Sequence, residues 1–286
     1  MSPMRVRVPG SSANIGPGFD VLAIALAKYL EVSVEEASAF DVVVEGYGAE
    51  IPVDGDHLAS RVLRAVRGND HARVRISSEL PLARGLGSSA ALALGVAAAA
   101  GASDPLKIAI DFEGHPENAA ASMYGGAVAA TMIDGDPLVR MVPLADEVAA
   151  VLVIPEVSLS TEHARSVLPA QYAREDALFN LGRAVLLTSS LGEISKIHPA
   201  LFEDRIHQQY RGALLPEAER ILERLISAGS LGACWSGAGS TMMGFVEQSR
   251  AEAVRDSLRS FLSAWETRTT VEVVAFDRLG LTYLED

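Results

Sequence analysis

Cysteine is nearly absent from this chain of 286 residues. Cys234 stands alone, which excludes an intrachain disulfide and a cysteine-cluster metal site. Lysine is scarce too: Lys28, Lys107 and Lys196 are the only three, and none lies in a glycine loop. The Gly-Lys-Ser/Thr pair of a P-loop is therefore missing. Basic residues fall short of acidic ones, 24 against 37, for a net charge of −13. That balance argues against nucleic acid or an anionic membrane as a partner. Long greasy runs are missing as well. The uncharged stretch from Gly85 to Ser103 is mostly Ala with Gly and Ser and lacks the Leu, Ile and Phe content that insertion needs. Met1-Ser2-Pro3-Met4-Arg5-Val6 has no signal-peptide core and runs straight into a strand pattern. A soluble cytoplasmic protein is expected. No internal repeat is visible.

Nearly half the residues are apolar, enough for a sizeable core in one large domain or two ordinary ones. The stretch that organises the rest is Pro81-Leu82-Ala83-Arg84-Gly85-Leu86-Gly87-Ser88-Ser89-Ala90-Ala91. It follows an alternating strand, Arg73 to Ser77, and opens an Ala-rich helix reaching Ala100. Glycines at such a turn let backbone approach a ligand, and the exposed N–H groups of the helix start favour an anion, most naturally phosphate. Ser88 or Ser89 is expected to cap the helix while the other touches a phosphate-bound metal. Gly-Leu-Gly alone also fits a plain glycine turn with a serine cap.

The remaining chain reads as an α+β protein. Met4 to Val8 is expected as a strand, followed by a long loop, Pro9 to Asp20, carrying Ser12, Asn14 and Asp20. Strands are expected at Tyr29 to Val34 and Phe40 to Glu45, with an Asp-capped amphipathic helix from Asp56 to Val66. After the Ala-rich helix comes Pro105 to Phe112, and then Glu113-Gly114-His115-Pro116-Glu117-Asn118. Strands at Ala127 to Ile133 and Leu138 to Val142 precede a buried strand, Ala149 to Ile154. A domain boundary is placed at 146/147, giving units 1–146 and 147–286. In the second, Thr161 and Arg165 share a helix face behind a Ser160 cap, as do Asp204, His207 and Arg211. Gly232 to Thr241 is a second glycine turn, a hairpin tip or a backbone wall of a site. The last strand is expected at Val271 to Ala275.

The glycine stretch is not a dinucleotide site, since it lacks the third glycine and the following acidic residue. Protein-kinase loop motifs are also missing. Pro81-x-x-x-Gly85-Leu86-Gly87-Ser88-Ser89-Ala90-Ala91 resembles instead the signature of the GHMP small-molecule kinases. Four further stretches resemble motifs of the homoserine kinase branch, in the same order: Val8 to Asp20, Glu113 to Asn118, Ser160-Thr161-x-x-Ala164-Arg165, and Asp204 to Arg211. Ser236-Gly237-Ala238-Gly239 resembles the family's C-terminal glycine motif.

The resemblance implies an α+β GHMP kinase fold: an N-terminal domain like the second domain of ribosomal protein S5, with a left-handed crossover, and a C-terminal ferredoxin-like domain. It implies ATP-dependent phosphorylation of the hydroxyl of L-homoserine, on the route to threonine, with Mg²⁺ as cofactor; a homodimer is implied by resemblance only. Pro81, Arg84, Gly85, Leu86, Gly87, Ser88, Ser89 and Ala90 would hold ATP, with His57 near the adenine. Ser89 and Glu113 would hold Mg²⁺. Arg165 and Arg211 would clamp the substrate carboxylate, while Asn14, Asp20 and His115 bind the rest. Asp20, Asn118 and Thr161 would act at the transferring phosphoryl, by positioning rather than by strong base catalysis. Glu117, Ala119-Ala120-Ala121, Gln209, Ser240 and His57 depart from the family's usual residues. Two other readings remain, a GHMP kinase for another hydroxylated acid and an inactive metabolite-binding regulator.

Overall fold

The computed structural model describes residues 4–52 and 56–285; the expectation for Met1 to Pro3 lies outside the described residues. In the first half β1 (Met4–Ala13), β2 (Leu22–Glu36) and β3 (Asp41–Gly46) lead through α1 (Leu58–Arg67) to β4 (Ala72–Ser78). Helices α2 (Ser88–Ala99), α3 (Pro105–Glu113) and α4 (Glu117–Tyr124) follow, then the hairpin β5 (Ala127–Ile133) and β6 (Asp136–Val142). The second half runs β7 (Val148–Pro155), α5 (Thr161–Ser166), α6 (Arg174–Ser190), α7 (Gln208–Arg211), α8 (Ala218–Ser227), β8 (Gly232–Trp235), β9 (Met242–Glu247), α9 (Ala251–Leu262), β10 (Thr269–Ala275) and β11 (Thr282–Leu284).

Two sheets result. The first has the order β11-β1-β2-β4-β3, with β5 on β2 and β6 on β5; only β3 and β4 run parallel, joined through α1. Helix α2 lies across β1 and β2. It is buried on nearly every side, so its sequence shows no amphipathic period, and its alanines let the neighbouring layers approach closely. The second sheet has the order β10-β7-β9-β8 and carries α8 and α9. Counted from β7, this is the βαββαβ order of a ferredoxin-like unit. The chain changes sheet between Val142 and Val148 and returns at β11, which pairs with β1.

A shared apolar cluster fixes the two layers against each other. Ile15, Leu22, Ile24 and Leu86 from the first half pack with Leu152, Phe202, Phe245 and Phe276 from the second.

Several local expectations change. β1 does not end at Val8 but continues through Pro9 to Ala13, with a register shift between Pro9 and Gly10. Ser11 and Ser12 sit fully buried within it. Their hydroxyls bond to distant residues, so polar side chains read locally as loop are accommodated in sheet. Helix α1 is capped by His57, not Asp56: His57 Nδ1 accepts from Ala59 N–H at 3.2 Å. Helix α2 has no serine cap either. It starts at Gly87 in left-handed conformation with no side-chain cap bond, and Ser88 is already helical. Asp204, His207 and Arg211 share no helix face, because α7 begins only at Gln208. Asp204 instead gathers the backbone N–H groups of Ile206, His207 and Gln208 at 3.0, 2.8 and 2.7 Å.

Candidate active site

The two glycine turns meet face to face. Ser236 Oγ donates to Gly85 O at 2.7 Å and lies 2.8 Å from Ser12 Oγ, and Gly237 N–H donates to Ala13 O at 2.8 Å. Gly232 to Thr241 is thus both a hairpin tip, between β8 and β9, and a wall of the site. A Cβ at Gly85 would collide with Ser236 O, and one at Gly87 with Ser11. Both residues have positive φ, so the backbone geometry and the packing demand glycine together.

Beside this seam lies a cleft of about 230 Å³. Gly85, Leu86, Gly87, Ser88 and Ser89 form its floor at the start of α2. Glu113, His115, Glu117 and Asn118 come from the end of α3 and the start of α4. Thr161 and Arg165 enter on α5, where Ser160 Oγ accepts from His163 N–H at 3.1 Å as the expected cap. Arg211 and Asn14 complete the wall near Gly237. Of the expected residues, Pro81, Arg84 and Asp20 lie outside the lining; Arg84 Nη1 donates to Leu82 O at 3.1 Å, and Asp20 meets the cleft through Arg165. Ala90 is buried in the core cluster behind the floor. His57 lines an adjoining, more apolar cavity of about 410 Å³, which shares Ala83, Ser88 and Ser89 with the cleft.

Asp20 and Arg165 are found paired with each other. Arg165 donates Nη1 to Asp20 Oδ2 at 2.9 Å and Nη2 to Asp20 Oδ1 at 2.6 Å, a bidentate contact that raises the guanidinium pKa. Asn14 spends its amide on the protein: Oδ1 accepts from Asp20 N–H at 2.8 Å, and Nδ2 donates to Gly237 O at 3.1 Å. Asn14 and Asp20 both hold positive φ, as does Ala83 on the opposite rim. Asn and Asp tolerate that region through local side-chain bonding.

Arg211 is buried. Nη1 donates to Gly237 O at 2.7 Å and lies 3.1 Å from His207 Nδ1, while His207 Nε2 meets Gly16 O at 2.8 Å. Burial, and next the Arg165 charge, push Arg211 down to about 10. Burial pushes His207 down to about 4, so it is neutral at pH 7. Phe19 organises this corner: its ring stacks on His207 at 5.1 Å, with Arg165 and Arg211 at 5.4 and 5.3 Å from its centroid. On the opposite side Ser11 Oγ donates to Asn118 Oδ1 at 2.9 Å, which leaves the Asn118 NH₂ for a ligand.

Sequence reasoning gave no role to Phe19, Ser11 or Glu117. Glu117 is only 1% exposed although it lines the cleft. Its signal was a lone charged residue opening α4, whose remaining residues are uncharged and alanine-rich. Burial raises its pKa to about 7, and the Asp20 charge adds to the rise. His115 Nδ1 stands 3.6 Å away, but burial and the Arg165 charge lower the His115 pKa, so it brings no compensating charge at neutral pH. Six buried side-chain atoms among the described residues lack a hydrogen-bond partner, and three of them, Arg211 Nε, Glu117 Oε2 and His115 Nδ1, belong to residues lining this cleft.

A stability consequence follows for Glu117. The unfolded chain loses this proton near 4.5 and the folded chain near 7, so stability falls as pH rises through that window. At about 1.4 kcal/mol per tenfold change in proton affinity, the loss is roughly 3 kcal/mol. Glu117→Gln removes it. In denaturant melts the variant is expected to gain on the wild type between about pH 4.5 and pH 7.5; a constant difference across that range would contradict a protonated Glu117.

Comparison with known proteins decides the family. The GHMP kinases N terminal domain model matches residues 57–126, and the GHMP kinases C terminal model matches 184–264. The homoserine kinase of Clostridium novyi (strain NT) is 35% identical, over 95% of this chain and 95% of its own. The chain belongs to the homoserine kinase family of the GHMP kinases. The homoserine kinase of Corynebacterium glutamicum (strain R) is 42% identical, over 83% of this chain and 84% of the relative. In fold, the crystal structure of homoserine kinase from Cytophaga hutchinsonii ATCC 33406 aligns with a TM-score of 0.87 at 24% identity, covering 99% of this chain and 98% of that one. The α+β GHMP kinase fold expected from the motifs is the fold of this chain.

No group of three or more His, Cys, Asp or Glu gathers to hold a metal among the described residues. The cleft offers one carboxylate on α3, Glu113, and serine hydroxyls at the start of α2. That sparse donor set suits Mg²⁺, which keeps waters and takes phosphate oxygens rather than filling an all-protein cage. No helix among the described residues is long and apolar enough to cross a membrane.

Proposed function

We propose that this protein transfers the γ-phosphoryl group of ATP to the side-chain hydroxyl of L-homoserine, giving O-phospho-L-homoserine and ADP for threonine synthesis. The observation that carries the reading is the trio of unpartnered buried atoms in the cleft. A buried guanidinium N–H calls for an acceptor such as a carboxylate, and a buried carboxyl oxygen calls for a donor such as an ammonium. A zwitterionic amino acid supplies both from one small molecule.

Residues 1–146 would bind the nucleotide and 147–286 contribute the acceptor arginines. The start of α2 would receive the phosphates through backbone N–H groups. This suits a chain whose net charge of −13 offers few cations for the task. The apolar cavity beside His57 would take the adenine. Ser89 and Glu113 would hold Mg²⁺, which when bound neutralises charge on the phosphoryl oxygens. Arg211 would bind the substrate carboxylate; Arg165, tied to Asp20, would share that contact and fix the carboxylate of Asp20. Glu117 would receive the ammonium, giving up its proton as the cation arrives. Asp20 and Asn118 would orient the hydroxyl, and Thr161 would stand by the transferring group. The cytoplasm, where ATP and free amino acids meet, is the compartment this reading implies.

Coupled ADP release with Mg-ATP, comparing L-homoserine, mevalonate, L-threonine, L-serine and no acceptor, tests the proposal. Turnover specific to L-homoserine is expected. Turnover with another acceptor would overturn the substrate. Silence with all of them in folded protein would leave a metabolite-binding regulator.

A further inference from the structure

The N–H donors of Arg211 are not used evenly. Nη1 is spent on the protein, with Gly237 O at 2.7 Å and His207 Nδ1 at 3.1 Å. Nε–H is buried without a partner, and no described residue bonds to Nη2. The protein therefore fills one side of the guanidinium and leaves the Nε/Nη2 edge open. That edge carries two parallel donors, the pair a carboxylate meets bidentately.

His207 sets which side is filled. An arginine only donates, so the Nδ1 that faces it must be the bare, accepting nitrogen. At the other end of the ring Nε2 stands 2.8 Å from Gly16 O, and a carbonyl only accepts, so Nε2 must carry the proton. Two separate contacts thus call for the same tautomer. Asp204 Oδ2 does not compete for that proton: it is 3.7 Å from Nε2 and accepts instead from the His207 backbone N–H at 2.8 Å. The ring is wholly buried, and Phe19 lies along it at 5.1 Å with the two planes inclined by 24°. Burial keeps the ring neutral at pH 7, so no second ring proton points at the guanidinium. His207 does not line the cleft, and both its ring nitrogens are engaged, which leaves it no part in the proton chemistry of the reaction.

We propose that His207 is a positioning residue: as the Nε2–H tautomer anchored on Gly16 O, it holds Nη1 of Arg211 and so aims the Nε/Nη2 edge at the carboxylate of the acceptor. The inference rests on the carboxylate contact assigned to Arg211 above. Histidine suits the task because its donor and acceptor sit at different corners of one rigid plane. It can therefore tie the segment between β1 and β2 to α7 in a single orientation. Asn and Gln carry donor and acceptor together at one end.

The two ends of the ring can be removed one at a time. In His207→Asn, Oδ1 takes the Nδ1 position, which keeps an acceptor for Arg211 and loses the donor to Gly16 O. In His207→Gln, Nε2 takes the place of the ring Nε2, which keeps that donor and loses the acceptor. Both variants are expected to melt below the wild type. With Mg-ATP, His207→Gln is expected to raise KM for L-homoserine at least about tenfold, with KM for ATP within about twofold and kcat within about threefold. His207→Asn is expected to bring KM for L-homoserine back to within about threefold of the wild type. A histidine that only supports the fold would lower the active fraction in both variants and leave every KM unchanged. That result, or an equal rise of KM in the two variants, would overturn the proposal. A second measurement uses the wild type alone. In protein labelled with ¹⁵N in its histidine rings, His207, assigned through its contact with Phe19, is expected to show a protonated Nε2 and a bare Nδ1 at neutral pH. A proton on Nδ1 would overturn the proposal whatever the acceptor. Wild-type protein that ignores L-homoserine would instead sink the substrate assignment, and the ring spectrum tells the two failures apart.

Discussion

Replacing Arg211 by Met is expected to lower kcat/KM for L-homoserine by at least about 100-fold while leaving ATP binding within about twofold. The guanidinium is buried, is held by Gly237 O at 2.7 Å, and keeps Nε unpartnered at the cleft. Removing one side of a buried charged contact costs about 2–5 kcal/mol, mostly because the other charge is then left buried without a partner. Met retains much of the volume against Phe19, so the loss reports charge and hydrogen bonding more than packing. Arg211→Lys should recover little, since an ammonium cannot reproduce the planar fork. Steady-state kinetics in homoserine, with ATP affinity measured by calorimetry, checks this. An unchanged KM for the acceptor would show that its carboxylate lies elsewhere.

Gly87→Ala should be the most damaging change of one methyl group. The residue holds φ +68°, and a Cβ would strike the Oγ, N and O atoms of Ser11. Ser11 is fully buried in β1 and anchors Asn118, so the turn cannot yield without moving both a strand and a site residue. Left-handed strain of about 1 kcal/mol and overpacking of about 1–3 kcal/mol combine to roughly 2–4 kcal/mol. The displaced turn should also cost ATP-dependent turnover at least about 100-fold, because a shift of about 1 Å in a positioning element is enough for that. Gly68→Ala is the control: its φ is +76°, but nothing lies within 4 Å of the added Cβ. It should cost about 1 kcal/mol and no activity. Melts and turnover of the two variants side by side give the answer, and equal losses would show that φ alone matters.

The site also shows where a linear reading stops. Both glycine turns, the Ala-rich helix and both arginines were recognisable as stretches, since each owes its shape to residues within one or two turns. Strand β1 was cut short because Pro9, Gly10, Ser11 and Ser12 have loop chemistry in isolation. Their partners, Leu86, Asn118 and Ser236, lie far along the chain. β11 escaped for the same reason: its short run gains its place by pairing with β1 at the other end of the sequence. Asp20, expected to hold the substrate, also stands in a bidentate pair with Arg165, a contact no local reading could show. Glu117 looked like a minor departure and is instead a buried carboxyl with an unpartnered oxygen.

Turn chemistry, helix periodicity, charge balance and the order of the motifs are local quantities, and reading along the chain was enough to reach the α+β fold and the family. Three features had to wait for the folded chain. Gly85 proved to be required by Ser236 O as well as by its own φ, Phe19 came to lie against both arginines, and the unpaired atoms of Arg211, Glu117 and His115 came to line one cleft. Each depends on contacts between segments remote in sequence, and burial, which sets both the pKa values and the cost of an unmet hydrogen bond, exists only after those segments have packed.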